Sequence, residues 1–312
     1  MPPVTTREGP AIAFQPSKAV LIYNPEAGRR RRLRPQQLQT ARDEMERAGI
    51  ELAILETVRP GDGSKLAREA IQAGAGLIVV CGGDGTINDV VCGMAHSHVP
   101  LAVLPGGTAN VMARELGLPL DIGAAARAIP TSTPRRLALG CAGTRYFLLM
   151  AGVGFDAHVV RKVTLRWKKL FGMASYVIES VRQALFEPLS PFMLSVDGRR
   201  HQVTFACISR SQHYGPIRMV READLFSDQF YVYCFHCENR LRYFLYALAV
   251  LAARPTQLPD FSRFPARKIH CEQIASNGNK VFLQVDGELA GQLPCTFEIV
   301  PDALTLLVPA AP

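Results

Sequence analysis

The chain has 312 residues, 48% of them hydrophobic, with 35 Lys and Arg against 27 Asp and Glu and a net charge of +8. This content excludes a disordered chain and suffices for one large domain or two medium ones with proper cores. The positive balance points to an anionic partner, which leaves nucleotides, anionic lipid headgroups and nucleic acid open.

Taken in chain order, apolar runs at Ala19–Tyr23, Glu51–Glu56, Leu77–Cys81 and Leu101–Leu104 alternate with helical stretches. That alternation predicts a parallel sheet. From about Arg135 the texture changes. Strands are expected at Leu137–Leu139, Tyr146–Met150, Phe192–Val196, Val203–Ser209, Phe230–Phe235, Lys268–Cys271, Lys280–Val285, Phe297–Val300 and Leu304–Val308. Asp197-Gly198 is a hairpin signal. Helices are expected near Met173–Phe186 and Leu241–Ala253. The fold class read from this order is an α/β N-terminal domain with a parallel, Rossmann-like sheet, followed by a C-terminal antiparallel β-sandwich. The expected boundaries are a tail at 1–17, the α/β unit at 18–134, the β-rich unit at 135–300, and a segment at 301–312 that returns to the first unit. No internal repeat is visible.

The eight cysteines are scattered, several in apolar runs, which fits buried thiols in a reducing compartment. The N-terminus has prolines and no apolar leader. The apolar stretch Leu245–Ala253 is too short to cross a bilayer. A cytoplasmic location, peripheral at the inner membrane face, is the expectation.

Gly82-Gly83-Asp84-Gly85-Thr86 follows a buried-strand pattern and opens a helix. Glycines let the backbone approach a ligand closely, and a helix start offers free N–H groups and a positive dipole end. An acid placed there, Asp84, would repel phosphate unless a cation or a transferable proton lies between them. The combination suggests a nucleoside triphosphate site with Mg²⁺; an ordinary βα turn is the plainer alternative. A second loop, Leu104-Pro105-Gly106-Gly107-Thr108-Ala109-Asn110, also opens a helix. Its Thr108 and Asn110 can cap that helix or donate to phosphate oxygens. A third turn, Asn24-Pro25-Glu26-Ala27-Gly28, follows the first strand. In an open parallel sheet such turns gather at the carboxyl edge, where ligands bind. The Walker lysine loop and the first-strand GxGxxG are both missing, which argues against P-loop ATPases and common dinucleotide dehydrogenases.

With these motifs the chain resembles the diacylglycerol kinase catalytic-domain family, which includes bacterial lipid kinases, sphingosine kinases and ceramide kinases. The matching stretches are Asn24–Gly28, Gly82–Asn88, Pro105–Asn110, Gly152–Ala157 and Val285–Glu288, and the resemblance runs from about Lys18 to Pro309. GGDGT alone is shared with NAD kinases; its pairing with PGGTAN and a late DGE is specific to the lipid-kinase branch. The resemblance implies an NAD kinase-like first domain that binds nucleotide, a second domain for the lipid, and ATP with Mg²⁺ at the cleft. It places ATP on Asn24, Pro25, Glu26, Ala27, Gly28, Thr57, Gly82, Gly83, Asp84, Gly85, Thr86, Ile87, Asn88 and Thr108, with Gly107 and Asn110 in the same loop. It makes Glu288 the general base and gives Asp84 the metal and phosphates; in sphingosine kinases the counterpart of Asp84 is itself proposed as the base, so both carboxylates stand as candidates. The acyl chains are expected inside the second domain.

The chain departs from the family at one place. Bacterial relatives often read ADLDDGLLDV, with the second paired aspartate serving a structural Mg²⁺. Here Ser227 stands at that aspartate and Asp228 at the glycine. Either this site is lost, or a local shift recruits among Asp224, Ser227, Asp228 and Gln229.

The expected function is ATP-dependent transfer of a phosphoryl group to a lipid hydroxyl, on diacylglycerol, a sphingoid base, ceramide or a related lipid. The alternatives are a catalytically weak nucleotide- or lipid-binding regulator of the same fold, and an NAD kinase. The expected partners are the lipid substrate, a transiently contacted membrane surface and a second copy in a homodimer. No RNA-recognition or helix-turn-helix pattern supports nucleic acid.

The other features carry two readings each. Arg29–Arg32 is a solvated loop or an attractor of phosphates and anionic membrane. Arg161–Phe171, with the lone Trp167, is a packed surface helix or a membrane-facing one. Cys234-Phe235-His236-Cys237 reads as structural over metal-binding, because no second pair accompanies it. His96-Ser97-His98 reads as a polar turn, and Asp156 as a turn stabiliser or a cleft residue.

Overall fold

The computed structural model describes residues 17–28, 34–155, 157, 190–214, 217, 218, 220–236, 239, 242, 245, 260–274 and 280–310. The Arg29–Arg32 run, Asp156, the Arg161–Phe171 stretch, the helix expected over Met173–Phe186, Cys237 and most of the helix expected over Leu241–Ala253 lie outside these residues.

Strands β1 (Lys18–Tyr23), β2 (Glu51–Glu56), β3 (Leu77–Gly82) and β4 (Pro100–Pro105) pair in parallel in the order β2-β1-β3-β4. They alternate with helices α1 (Arg34–Arg47), α2 (Asp62–Gln72) and α3 (Asp84–Met94); α4 (Val111–Glu115) and α5 (Ile122–Ala128) follow β4. The unbroken apolar runs of β3 and β4 are buried throughout because helices cover both faces of the sheet. Leu77, Val79 and Cys81 pack with Leu38, Met45, Ile122 and Ala126 from α1 and α5. Ile78 and Val80 point the other way, into Ala67, Ile87, Val91 and Met94 of α2 and α3. The sheet grows outward from β1 in both directions, to β2 and then to β3. The loops that leave β1 and β3 are therefore neighbours at a switch point.

The strands that follow are β5 (Thr133–Ala142), β6 (Arg145–Phe147), β7 (Met150–Gly154), β8 (Phe192–Val196), β9 (Arg199–Val203) and β10 (Phe205–Ser209). Next come the short pair β11 (His213–Tyr214) and β12 (Ile217–Arg218), then β13 (Phe230–Phe235), β14 (Phe261–Ala266), β15 (Lys268–Gln273), β16 (Phe282–Val285), β17 (Glu288–Gln292) and β18 (Cys295–Val308). An antiparallel sheet of order β14-β13-β10-β7-β16-β17 faces the antiparallel part of the larger sheet, formed by β18, β15, β8 and β9. Asp197 and Gly198 make the β8–β9 hairpin, with φ of 48° and 76°.

The two strands expected at Phe297–Val300 and Leu304–Val308 are one strand, β18, with a register shift between Val300 and Leu304. Its first half pairs antiparallel with β15, Thr305 and Leu306 pair parallel with β4, and β5 runs antiparallel along its length. This strand carries the parallel sheet into the antiparallel one. The strand expected at Tyr146–Met150 is broken instead into β6 and β7, because the backbone between them turns its amides onto Asp286.

Between the two antiparallel faces lie Phe147, Phe192, Phe230, Phe297, Val232 and Leu283, all buried. Phe147 and Phe230 stack with centroids 5.7 Å apart. Among the described residues, no helix is long and apolar enough to cross a membrane.

Candidate active site

Three loops meet at the carboxyl edge of the parallel sheet. Asn24 follows β1, and its Nδ2 donates to Thr86 Oγ1 at 3.1 Å, while its Oδ1 accepts from Glu26 N at 2.9 Å. The N–H of Asn24 reaches the Cys81 carbonyl at 3.1 Å, and that of Gly106 reaches the Gly82 carbonyl at 3.0 Å. Pro25 and Ala27 complete the turn to Gly28, which sits at φ 70°. A Cβ on Gly28 would lie 2.5 Å from the Gly106 carbonyl oxygen, and one on Gly107 would lie 2.5 Å from Gly83 Cα. The glycines are thus needed for loops that touch backbone to backbone. Thr57, buried at the end of β2, donates its N–H and its hydroxyl to the Tyr23 carbonyl at 2.9 and 3.3 Å.

Arg34, at the start of α1, ties these loops together, and nothing in the sequence pattern marked it apart from the basic run before it. It is buried, and its Nη2 donates to the carbonyls of Ala27 at 3.1 Å and Gly106 at 2.8 Å; Nη1 points at Cys81 Sγ, 3.2 Å away. Arg34→Met keeps the stem but leaves those carbonyls without a donor. Such losses cost about 1–3 kcal/mol per buried group. Chemical denaturation should therefore show a stability loss of a few kcal/mol, and nucleotide titration a weakened site; native values in both would assign Arg34 no part in shaping the loops.

Asp84 opens α3, with Gly83 as the residue before it in extended conformation. The first-turn amides of such a helix have no partner within it. Asp84 Oδ1 accepts the Met112 N–H at 3.1 Å, so two helix starts, α3 and α4, converge on one carboxylate. Thr108 is exposed at the tip of the facing loop. Asn110 is turned inward: at φ 49° its Oδ1 accepts the Gly107 N–H at 2.8 Å, which shapes the loop. Ile87 is packed in the core, and Asn88 is buried with its Nδ2 3.4 Å from the Tyr146 carbonyl. The Asp89 carboxylate accepts the Gly63 N–H at 2.9 Å and so caps α2 from across the helix pair. Burial raises the pKa of Asp89.

Glu288 begins the edge strand β17 and reaches across to the α3 loop. A Cβ on Gly85 would stand 2.8 Å from Glu288 Oε1. The other oxygen, Oε2, accepts from Arg145 Nη2 at 2.6 Å, and Arg145 Nη1 donates to the Leu289 carbonyl at 3.3 Å. Arg145, on the short strand β6, was not singled out by any motif; it holds Oε2 and leaves Oε1 facing the glycine loop.

Asp286 sets the position of that turn. It is buried at φ 46°, and its carboxylate accepts the N–H groups of Leu148, Leu149 and Met150 at 2.8, 3.0 and 2.8 Å. Its own N–H donates to the Met150 carbonyl at 2.9 Å. Burial pushes its pKa up to about 6, against the pull of the three amides. A folded-state value above the unfolded one means that the folded chain holds the extra proton. Stability from this group is thus present below pH ~4 and lost as pH rises through about 6. Asp286→Asn should flatten the fall in Tm over that window relative to the native chain, while lowering Tm overall because an amide nitrogen replaces one acceptor. Parallel Tm curves for the two proteins would contradict this.

The altered acidic stretch forms a turn. Phe226 N–H donates to Asp224 Oδ1 at 2.9 Å and Ser227 N–H to the Asp224 carbonyl at 3.0 Å; Asp224 and Asp228 are exposed and Gln229 is partly buried. Among the described residues no group of three or more His, Cys, Asp and Glu side chains is arranged to hold a metal. His236 Nε2 lies 2.8 Å from Ser262 Oγ and Nδ1 lies 3.1 Å from the Gln202 carbonyl, a structural pairing. His96 Nε2 meets the Tyr146 hydroxyl at 2.9 Å.

Comparison with known proteins identifies the family. The diacylglycerol kinase catalytic domain family matches residues 18–142, and the YegS C-terminal NAD kinase beta sandwich-like domain family matches 150–308. A diacylglycerol kinase of Staphylococcus haemolyticus is 30% identical over 292 residues, covering 89% of this chain and 84% of that one. A Chromohalobacter salexigens protein described as "Probable lipid kinase YegS-like" is 35% identical over 163 residues, about half of either chain (51% and 52%). A solved chain from Bacillus anthracis superposes with a TM-score of 0.80 over 97% of this chain and 98% of that one; at 23% identity it speaks to the fold alone. The chain belongs to the diacylglycerol kinase catalytic-domain family of lipid kinases.

Proposed function

We propose that this chain transfers the γ-phosphoryl group of ATP to the hydroxyl of a lipid, at the cleft where the three glycine loops meet the β16–β17 turn. The observation that carries this reading is the approach of Glu288, from the antiparallel domain, to Gly85 of the phosphate-type loop. A carboxylate placed there stands where an acceptor hydroxyl and a terminal phosphate would meet.

In this reading Asn24–Gly28, Thr57, Gly82–Thr86, Gly107 and Thr108 cradle the nucleotide, with α3 and α4 presenting their N-terminal ends. Arg34 and Asn110 hold the cradle in shape. Phosphoryl transfer is mainly positioning and charge neutralisation. Mg²⁺ bound with ATP supplies neutralisation of the phosphate charge, and Asp84 is the carboxylate that would face it. Glu288 Oε1 takes the proton of the lipid hydroxyl as its oxygen bonds to the γ-phosphorus and the bond from that phosphorus to the β-phosphate oxygen breaks, with ADP leaving, since an alcohol is too weak an acid to lose the proton unaided. Arg145 keeps Oε2 occupied, and Asp286 fixes the turn. The exposed Leu289 beside Glu288 offers apolar surface next to the acceptor.

The test is phosphorylation of a total lipid extract with ATP labelled in the γ position, followed by identification of the labelled product, with NAD as a competing acceptor. Label in a lipid alcohol supports the reading, and label in NAD alone overturns it. Binding of ATP without any turnover would make the chain a regulator instead.

A further inference from the structure

Arg210 follows β10 and is fully buried, the largest side chain in the described core. Its partners are main-chain carbonyl oxygens. Nη2 donates to Leu225 and, at 3.4 Å, to Ser227; Nη1 donates to Leu148 at 3.4 Å; and the Arg210 N–H donates to the Leu149 carbonyl at 2.8 Å. An arginine guanidinium is not deprotonated in proteins, so the side chain is a cation at neutral pH. A buried charge of this kind persists only where surrounding oxygens compensate it.

Two of the oxygens that compensate it, those of Leu225 and Ser227, belong to the turn where the family resemblance implies a structural Mg²⁺. Such an ion takes about six oxygens at roughly 2.0–2.1 Å. The described residues do not fit one: Ser227 lacks the carboxylate, Asp224 Oδ1 is engaged with Phe226 N–H, the exposed Asp228 carboxylate already faces the charge of Arg210, and the carbonyls of Leu225 and Ser227 accept from that guanidinium. The same guanidinium reaches Leu148, whose N–H, with those of Leu149 and Met150, is held by Asp286 just ahead of Glu288.

We propose that the Arg210 guanidinium is a built-in replacement for the family's structural divalent cation, joining the 224–228 turn to the 148–150 segment that seats the Glu288 turn. The fold of this kinase then needs no metal at that turn, and any Mg²⁺ requirement is confined to the nucleotide. The inference rests on family membership and geometry, not on the acceptor lipid.

Its test reads melting temperature and metal content without nucleotide, so it is separate from any failure of the kinase assay. Native protein stripped with EDTA should melt within about 0.5 °C of untreated protein, a margin below the shift of about 1.5 °C that loss of a kcal/mol-scale interaction produces in a chain of this size; it should carry no stoichiometric Mg²⁺ and should not be stabilised by added Mg²⁺ or Mn²⁺. A melting temperature that falls on chelation and returns with added Mg²⁺ would overturn the proposal. Arg210→Met should lower Tm by roughly 5–8 °C, the scale expected for a broken buried charge network in a chain of this size. Ser227→Asp alone should stay insensitive to metal, its carboxylate pairing with Arg210, whereas Arg210→Ala combined with Ser227→Asp should gain stabilisation by Mg²⁺ or Mn²⁺. Metal-dependent melting in the single Ser227→Asp protein would show an ion site coexisting with Arg210 and would refute the replacement.

Discussion

Glu288→Gln should lower kcat by about 10²–10⁴-fold with a lipid acceptor, the range for loss of a general base. Glutamine keeps the shape and can still accept a hydrogen bond from Arg145, whose guanidinium lies 2.6 Å from Glu288 Oε2. It cannot take up the hydroxyl proton. ATP affinity should change little, because the loops proposed to hold nucleotide are braced by Arg34, Asn24 and Asn110, none of which depends on β17. Steady-state kinetics and ATP binding on one preparation check this. Near-native kcat would make Glu288 structural, and Asp84 would become the leading base.

Asp84→Asn should remove most turnover, on the order of 10²–10³-fold, the scale of losing one preorganised electrostatic partner of a reacting phosphate. The fold should survive, because an Asn oxygen can still accept the Met112 N–H that Asp84 Oδ1 accepts at 3.1 Å. What disappears is the negative charge at the junction of α3 and α4. A Tm close to native beside a collapsed rate is the expected pair of results. Undiminished turnover would remove Asp84 from the mechanism.

Much of this was legible in the residues. β3 reads Leu-Ile-Val-Val-Cys-Gly and is buried on both faces, which only a helix-covered parallel strand requires. The glycine turns at its end and after β4 follow from backbone approach distances that a Cβ would forbid. Both are local properties, encoded by residues near one another in the chain. The Asp197-Gly198 hairpin was legible for the same reason.

Arg145, Arg34 and Arg210 were not. Their partners lie at sequence separations of 143, 72 and 15, and an arginine that donates to distant carbonyls or to one carboxylate leaves no periodic trace. The single course of β18 was hidden by Pro301 and Asp302, which interrupt its apolar pattern but are absorbed as a register shift against β5. β17 was hidden because an exposed edge strand has no alternation to read. The sequence by itself determined the α/β frame, the three strand-end turns and Asp84 within one of them, since each rests on short-range pattern and turn chemistry; Glu288 became a candidate through the family resemblance. Only the tertiary structure decided that Glu288 meets Gly85, that Asp286 seats its turn, and that a buried guanidinium stands among the carbonyls of the altered acidic turn, because each depends on strands brought together from far along the chain.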